Sequence, residues 1–297
     1  MEDSYPRKLE VWPTRALAVI GDVPLHISGR TALGGASDPG TFADRLYEAE
    51  ALNPAAGPQR PAAASEPYSL QWFLEIENQR HGRQGRWIPR LLEFAKHGGE
   101  TLLGLGNGLG TDWIQYARHG AQVVVCASAA EQLALVRRNF ELRGLSGRFL
   151  SAPPASLPLE TSSIDVVCVS GLLDEVADPN AVVNEVYRVL KPGGKVLAVT
   201  PAHYDVAYWS GLLFPWLRWF HPNRSPVPAG RFSARRLHRL FARFVEHRVY
   251  KRQLRRSEVP HVWRWLPLPL LERLMGRVLV LKAFKPLSAA IPVPMAA

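Results

Sequence analysis

The feature that most constrains the fold is a regular alternation, over residues 101–201, of short β-branched runs with amphipathic helical segments. The runs are almost uncharged, as expected for strands that are buried on both faces. Repeated strand–helix units favour a parallel sheet with helices on both sides. The sequence therefore predicts a doubly wound α/β domain. The predicted strands are 101–105, 121–128, 147–152, 164–171 and 195–201, and the predicted helices between them are 110–120, 130–144 and 179–191.

The part of the chain before this alternation divides into two. Residues 1–66 have weak periodicity and many Pro, Gly and Ala residues, so we predict a partly disordered N-terminal arm and linker. Residues 68–80 and 86–96 have apolar residues at helical spacing and are predicted to form two helices. The folded domain is expected to cover residues 67–285.

The part of the chain after the alternation is aromatic and rich in proline and arginine. Ser233 stands where an N-cap is expected, before a stripe of apolar residues at helical spacing. In chain order, the predicted elements are a helical and aromatic cap over 202–232, a helix over 232–247, strands over 248–254 and 277–284, and a tail over 286–297.

The positive charge is concentrated in the last third of the chain. The net charge is +10, and residues 201–297 hold 17 Lys or Arg against four Asp or Glu, with tryptophans among the cations. Such a segment suits a hydrophobic or anionic substrate, or docking on an anionic lipid surface. Nucleic acid is the competing partner, but no recognisable RNA-binding motif is present, and the Pro-broken apolar runs favour a lipid-like partner. An ordinary solvated surface is the remaining interpretation.

Other simple features bear on the compartment and on metals. No apolar run approaches the ~20 residues of a membrane-spanning helix, and the N-terminal segment has acids and no apolar core, unlike a secretory signal. The two cysteines, Cys126 and Cys168, each lie within a β-branched run, which is typical of buried thiols. We therefore expect a cytoplasmic protein with neither a disulfide nor a metal site.

Glycines occupy alternate positions where the first predicted strand ends, in "TLLGLGNGLG" (101–110). In an open parallel sheet, ligands bind beyond the carboxyl ends of the strands, so this turn is the first candidate site. A dinucleotide fingerprint requires a glycine at its sixth position, where this chain has Leu109 or Thr111. The G-x-G-x-G spacing of residues 106–110 therefore argues against NAD.

Two segments together resemble the class I S-adenosylmethionine-dependent methyltransferases. The glycine turn resembles their first motif, an acid followed by G-x-G-x-G, and residues 157–201, which include "RVLKPGG", resemble the second half of the fold. The similarity extends over roughly residues 70–285, and its pattern is that of the group with the ubiquinone and menaquinone C-methyltransferases. It implies a Rossmann-like fold, S-adenosylmethionine as the cofactor, and methyl transfer.

The resemblance also implies where this cofactor would bind. The family has an acid before the glycines, a ribose-binding acid after the second strand and an adenine-binding acid after the third. This chain has Gly104, then Cys126 or Ala127, then Ala152 at those places. Because a hydrogen bond to a charged group contributes ~1.5–3 kcal/mol, we expect weakened binding. The candidate cofactor-binding residues are Gly104, Gly106, Asn107, Gly108, Gly110, Asp112, Cys126, Ala127, Ala152 and Ser170.

Three other carboxylates lie near the predicted cofactor site. Asp112 is beside the glycine turn, and we predict that it either meets the amino group of the cofactor or complements the dipole at the helix start. Glu75 and Glu77, on the preceding helix, either reach over the site or lie on a solvated face.

Four residues are candidates for the acceptor side of the site. Asp174 and Glu175 replace a His pair that the family often has after the fourth strand, and they either act as a general base or begin the next helix. His203 and Tyr204 follow the fifth strand, where the family places its substrate.

Three functions are compatible with these features. The first is an S-adenosylmethionine-dependent methyltransferase with a small or lipid-like acceptor. The second is a pseudoenzyme that keeps the methyltransferase fold as a scaffold or partner subunit, because all three acids are replaced. The third is a membrane-surface or nucleic-acid binding module formed by residues 201–285.

Overall fold

A computed structural model describes residues 66–82, 85–213, 231–254, 256, 259, 263 and 265–287. The predicted arm (1–65), the greater part of the predicted cap (214–230) and the end of the tail (288–297) lie outside the described residues.

Seven strands form one sheet in the order β3-β2-β1-β4-β5-β7-β6. β1 to β5 are parallel, and β7 is antiparallel to both β5 and β6. The predicted doubly wound, mainly parallel sheet is therefore confirmed. The strands are β1 (Thr101–Gly106), β2 (Gln122–Ala127), β3 (Arg148–Ser151), β4 (Ile164–Ser170), β5 (Leu190–Pro201), β6 (Val245–Arg252) and β7 (Val278–Phe284).

Eight described α-helices accompany the sheet. Leu70–His81 begins at Ser69, whose hydroxyl accepts a hydrogen bond from the Trp72 N–H, and the Ser233 hydroxyl caps a later helix in the same way. The helices are α1 (Leu70–His81), α2 (Ile88–Leu91), α3 (Thr111–Arg118), α4 (Ala130–Glu141), α5 (Pro179–Val189), α6 (Val206–Leu213), α7 (Ala234–Leu240) and α8 (Leu268–Met275).

Two apolar layers cover the two faces of the sheet. One layer contains the valines of α5 and Leu237 of α7, and the other contains Ile114 of α3 and Phe140 of α4. Neighbouring strand residues alternate between these layers, which we name the α5/α7 layer and the α3/α4 layer. A third, smaller cluster joins α6 to α8.

The predicted helix over residues 232–247 is wrong at its carboxyl end. α7 ends at Leu240, and Val245 instead begins β6, where it pairs with Phe284 of β7 and is 42% exposed. Helical spacing of apolar residues continued to this point in the sequence, but pairing with the neighbouring strand decides the conformation.

The predicted helix over residues 86–96 is interrupted. α2 ends at Leu91, and Glu93 has a positive φ of 59° before a short 3₁₀ turn at Phe94–Lys96. The Glu93 carboxylate accepts hydrogen bonds from Lys195 (2.7 Å) and Lys282 (2.9 Å) of the sheet. Burial opposes ionisation of Glu93, but the two ammonium groups outweigh this and lower its pKa to about 2. Ion pairing therefore accompanies the break in the helix.

Within the described ranges, none of the helices is both long enough and apolar enough to cross a bilayer.

Candidate functional site

The candidate site lies where the carboxyl ends of β1 and β4 are neighbours. Gly106 at the end of β1 is paired with Ser170 at the end of β4, and the sheet continues from this pair in opposite directions. A change in strand order of this kind leaves a crevice beyond the strand ends, which is where ligands bind in open α/β sheets. The glycine turn that joins β1 to α3 forms one wall of the crevice.

The glycines of this turn are required by the packing of the protein itself. A Cβ on Gly106 would lie 2.2 Å from the carbonyl oxygen of Ser170, and one on Gly110 would lie 2.7 Å from Cγ1 of Val136. Gly110 also has a φ of 78°, which L-residues rarely adopt. The sequence interpretation attributed these glycines to approach by a cofactor, whereas the structure gives these two an intramolecular reason.

Trp113 fills the space beside Gly104. A Cβ on Gly104 would lie 2.6 to 2.8 Å from three atoms of the indole, which is buried on α3. The family's acid would project from this position. In this chain, therefore, the side-chain space of that acid is occupied by an aromatic ring.

Two buried side-chain amides on α4 donate hydrogen bonds to the backbone of the glycine turn. The Gln132 side chain donates to the carbonyl oxygens of Gly106 (2.8 Å) and Gly108 (3.0 Å), and Asn139 donates to that of Leu109 (3.0 Å). Buried polar groups are normally paired, and here the pairing fixes the turn in one conformation. Sequence reasoning missed both residues, although an amide on the buried face of a helix is a usable signal.

Asp112 faces α1. Arg80 donates from Nε to one carboxylate oxygen (2.8 Å) and from a terminal nitrogen to the other, and His81 lies 2.9 Å from the first. Burial opposes ionisation of Asp112, but Arg80 and His81 outweigh this and hold its pKa well below the usual range. Arg80 also donates to the Ser170 hydroxyl (3.1 Å). The same network thus reaches the end of β4, and contact of Asp112 with a cofactor stays a prediction.

Glu77 of α1 also bonds neighbouring elements, at a position further from the glycine turn. Its carboxylate accepts hydrogen bonds from Gln115 (2.8 Å), Arg118 (2.6 Å) and Arg143. These contacts place Glu77 against α3 and the end of α4, with only 14% of its side chain exposed. It therefore does not lie on a solvated face. Its partners, together with Arg80 and His81, were missed from the sequence because they are distant along the chain.

The positions expected to hold ribose and adenine come together at the ends of β2 and β3. The Ala152 N–H donates to the carbonyl of Ala127 (3.2 Å), and the Cys126 thiol donates to the carbonyl of Ala152 (3.5 Å). Ala127 belongs to the α3/α4 layer and Cys126 to the α5/α7 layer, and burial raises the pKa of the Cys126 thiol. These positions offer backbone groups and a thiol in place of the family's carboxylates. The second cysteine, Cys168, is fully buried in β4, and burial raises its pKa to about 12.

Asp174 and Glu175 lie in the segment after β4, across from the glycine turn. The Asn107 side-chain amide of the turn donates to the Glu175 carboxylate. Burial raises the pKa of Asp174, and among the described residues no group donates a hydrogen bond to its Oδ1. The alternative that these acids begin the next helix is wrong, because Asp178 caps α5 by accepting from the Asn180 N–H (2.9 Å).

His203 and Tyr204 begin an aromatic group beyond the end of β5. Their ring centroids are 4.7 Å apart, and Tyr208 of α6 lies 5.0 Å from Tyr204 and 5.6 Å from Trp209. Tyr204 is 44% exposed, so one ring of the group faces solvent. Because β1, β4 and β5 are parallel, this aromatic group lies at the same edge of the sheet as the glycine turn.

The residues that the structure describes contain no group of three His, Cys, Asp or Glu arranged to hold a metal ion.

Residues 102–198 match the family model described as a methyltransferase domain. The demethylmenaquinone methyltransferase of Thermus thermophilus is 33% identical over 121 residues, which are 40% of this chain and 55% of that protein. The chloroplastic 2-methyl-6-phytyl-1,4-hydroquinone methyltransferase 1 of Oryza sativa subsp. japonica is 25% identical over 186 residues, covering 56% of this chain and 55% of that protein. The tRNA 5-carboxymethoxyuridine methyltransferase of Escherichia coli is 31% identical over 97 residues, covering 31% of this chain and 37% of that protein. The chain spans about half the length, or less, of these relatives.

Two solved structures share the fold. A SAM-dependent methyltransferase from Aquifex aeolicus has a TM-score of 0.50 at 14% identity, covering 73% of this chain and 98% of that chain. The [4+2]-cyclase SpnF has a TM-score of 0.52 at 18% identity, covering 87% of this chain and 100% of that chain. At such identities the likeness concerns architecture alone.

Proposed function

We propose that this chain, whose residues 102–198 match a methyltransferase domain, is of the class I S-adenosylmethionine-dependent type and transfers a methyl group from S-adenosylmethionine to a lipid-like hydroquinone. The observation that carries the proposal is the glycine turn at the β1–β4 crevice, whose backbone carbonyls accept hydrogen bonds from Gln132 and Asn139. A turn held in one conformation can receive a ligand without first losing conformational entropy. Two of the relatives are named for methylation of quinone-related compounds, which supports the acceptor class.

The residues present fit the amino-acid half of this cofactor better than its nucleoside half. The backbone of residues 106–110 and the side chain of Asn107 would hold the methionine part. Cys126, Ala127 and Ala152 would line the nucleoside part without a carboxylate for the ribose hydroxyls. We therefore expect binding that is weaker than the family pattern provides. When bound, the cofactor supplies an electrophilic methyl group on a sulfonium.

Asp174 is the residue we assign to proton removal from the acceptor. Burial raises its pKa, so the carboxylate is a stronger base than an exposed aspartate. Its neighbour Glu175 accepts a hydrogen bond from Asn107 of the glycine turn, so this segment lies beside the turn. A base at this position would take the proton that a hydroxyl or ring carbon of the acceptor loses on methylation.

The aromatic group beyond β5 is the part we assign to holding the acceptor. Tyr204 presents an exposed ring, and Tyr208 and Trp209 continue the group along α6. Aromatic rings offer large apolar surfaces with little loss of side-chain freedom, and they stack well on a planar hydroquinone. Holding the acceptor in line with the methyl group is the main contribution that such an enzyme makes.

Transfer of a labelled methyl group tests this function. The full chain is incubated with methyl-labelled S-adenosylmethionine and either reduced demethylmenaquinone or 2-methyl-6-phytyl-1,4-hydroquinone, and label is measured in the extracted lipid. We expect label in the lipid, and a rate lowered roughly 100-fold or more by Asp174→Asn. Asp178→Asn, which changes a nearby aspartate that caps α5, is the matched control. Absence of label with both acceptors, from a chain that binds the cofactor, contradicts the acceptor class.

A non-catalytic role is the second candidate, and Trp113 favours it. The indole occupies the space of a family acid beside Gly104, and the ribose and adenine positions lack acids as well. A chain that has lost cofactor binding in this way would keep the architecture as a partner subunit. Failure of the natural chain to bind S-adenosylhomocysteine would support this candidate over the first.

A further inference from the structure

We infer that the outer face of α8, together with Trp265 just before it, docks on the surface of an anionic phospholipid bilayer. We name this surface the α8 face; it consists of the exposed residues Leu270, Arg273 and Leu274 of the helix and of Trp265 just before it. Arg256 joins this segment through a hydrogen bond to the Leu266 carbonyl. The docking itself does not depend on the proposed function.

The α8 face exposes apolar side chains that nothing in the described structure covers. Leu270 and Leu274 are one helical turn apart, and each is 46% exposed, while Trp265 is 79% exposed. Leu271 and Met275, which lie about 100° further around the helix, are fully buried against the cluster that joins α6 to α8. The apolar side of α8 is therefore wider than the part that this cluster covers, and Leu270 and Leu274 form its exposed margin. Neighbouring exposed apolar side chains of this size mark an interaction site.

Cations accompany these apolar side chains. Arg273 is exposed between Leu270 and Leu274 along the helix. Arg256 is also exposed, and its guanidinium donates a hydrogen bond to the Leu266 carbonyl (3.2 Å). The single acid of α8, Glu272, lies 3.5 Å from Arg252, which offsets its charge. Apolar side chains for the acyl boundary and cations for phosphate groups are the two components of interfacial binding. Nucleic acid would satisfy the cations but would leave the leucines without a partner.

Three hydrogen bonds join the α8 face to the acceptor side of the candidate site. The Lys251 ammonium donates to the Leu274 carbonyl (2.6 Å) and to the Tyr204 carbonyl, and the Trp209 indole N–H donates to the same Leu274 carbonyl (3.2 Å). Contact with a bilayer would therefore bring the aromatic group near the lipid. Direct entry of a lipid-like acceptor from the membrane is the one consequence that rests on the proposed function.

Co-sedimentation of the full chain with vesicles tests the docking. One set of vesicles contains phosphatidylcholine mixed with phosphatidylglycerol, and the other contains phosphatidylcholine alone. We expect binding to the anionic set that weakens as salt is raised. The double variant Leu270→Glu/Leu274→Glu should lower binding by roughly tenfold or more. Leu287→Glu is the matched control, because Leu287 is 83% exposed. It lies just beyond β7, whose last residues pair with the amino-terminal part of β5, so it is at the opposite edge of the sheet from α8.

A second variant keeps the test decisive if the leucine variant misfolds. Arg256→Gln/Arg273→Gln keeps the apolar side chains and should weaken binding to anionic vesicles at low salt, with an unchanged far-UV circular dichroism spectrum. The inference is overturned if the wild-type chain does not bind anionic vesicles, or if the leucine variant binds as well as the control. It is also overturned if the chain binds single-stranded RNA but no vesicle, or if the leucine variant only converts a dimer to a monomer. Binding of S-adenosylhomocysteine is measured separately, so loss of one property leaves the other interpretable.

Discussion

The pair formed by Gly104 and Trp113 shows how a single position can lose a family feature without loss of packing. The indole lies across the glycine on the α3/α4 layer, so the space that an acidic side chain would need is filled. Neither residue alone indicates this from the sequence. The contact depends on α3 folding back over β1, and the two residues are separated by the whole glycine turn.

Restoring the family's acid at this position should therefore destabilise the protein. Gly104→Asp forces the Trp113 ring to move and buries an unpaired charge, so we expect a loss of about 3 kcal/mol or more in the free energy of unfolding. Urea denaturation measures it. The double variant Gly104→Asp/Trp113→Ala should lose less than the sum of the two single variants, because the overlap is relieved. Strict additivity would contradict the packing described here.

An acidic residue introduced at the expected ribose-binding position should instead strengthen cofactor binding. Ala127→Asp places a carboxylate at the end of β2 on the α3/α4 layer, where it can accept hydrogen bonds from the ribose hydroxyls. We expect the dissociation constant for S-adenosylhomocysteine to fall by about tenfold or more, as a charged hydrogen bond provides. Cys126→Asp is the matched control, because that side chain belongs to the other layer. Equal effects of the two variants in calorimetry would contradict the assigned register.

The Asp112–Arg80 pair predicts a specific dependence on pH. Arg80 and His81 hold the native pKa of Asp112 below that of an ordinary aspartate, so the carboxylate stabilises the fold above about pH 4 and loses that contribution as pH falls. Asp112→Asn leaves Arg80 buried without its anion and should lower the free energy of unfolding at neutral pH by ~3–5 kcal/mol. The difference between wild type and variant should shrink below about pH 4. Thermal unfolding across this range measures it, and a constant difference would contradict the assignment.

At the scale of elements, α1 is held to the rest of the domain largely by ion pairs. Phe73 and Ile76 are buried, but the long-range polar contacts come from Glu77, Arg80 and His81 at its carboxyl half. The helix itself was predicted from its periodicity. Its position over the β1–β4 crevice was not predictable, because the partners of Arg80 are 32 and 90 residues away along the chain.

Removing the Glu77 charge should loosen this helix selectively. Glu77→Gln weakens the contacts with Arg118 and Arg143, so backbone amides of α1 should exchange with solvent roughly tenfold faster or more. Hydrogen exchange with mass spectrometry measures this, with peptides of α5 as the internal reference. Glu131→Gln, at an exposed position of α4, is the control variant. Faster exchange throughout the sheet would mean that Glu77 supports the whole domain and not α1 in particular.

Elements that were predicted incorrectly share a cause. The helix over 232–247 ended early because Val245 pairs with β7, and the helix over 86–96 broke where Glu93 meets Lys195 and Lys282. In both cases a contact with a distant strand accompanies the departure from the local pattern. Strands β1, β2 and β4 were predicted closely because their residues are almost all buried, which leaves a nearly continuous apolar pattern. β5 begins at Leu190, before its predicted start at residue 195, and β3 is exposed at Arg148 and Ser151.

For the whole molecule, the alternation of strands and helices was sufficient to predict a doubly wound sheet, and the edge of the sheet at which a ligand binds stays a prediction. The family resemblance singled out Cys126, Ala127 and Ala152, and the structure places them together at the ends of β2 and β3. The alternation did not show which backbone groups Gln132 and Asn139 support, because the carbonyls they bond are 24 to 30 residues away along the chain. The fold therefore followed from local patterns, and the site depended on contacts that only the assembled molecule contains.

Isothermal titration calorimetry of the full chain with S-adenosylhomocysteine measures whether the glycine turn beyond β1 binds a nucleoside-linked sulfur compound although acids are absent from the positions around it. We expect a saturable heat, with one ligand per chain and an affinity that Ala127→Asp increases. No heat at millimolar ligand, from a chain whose thermal unfolding is cooperative, would mean that the glycine turn does not hold this cofactor.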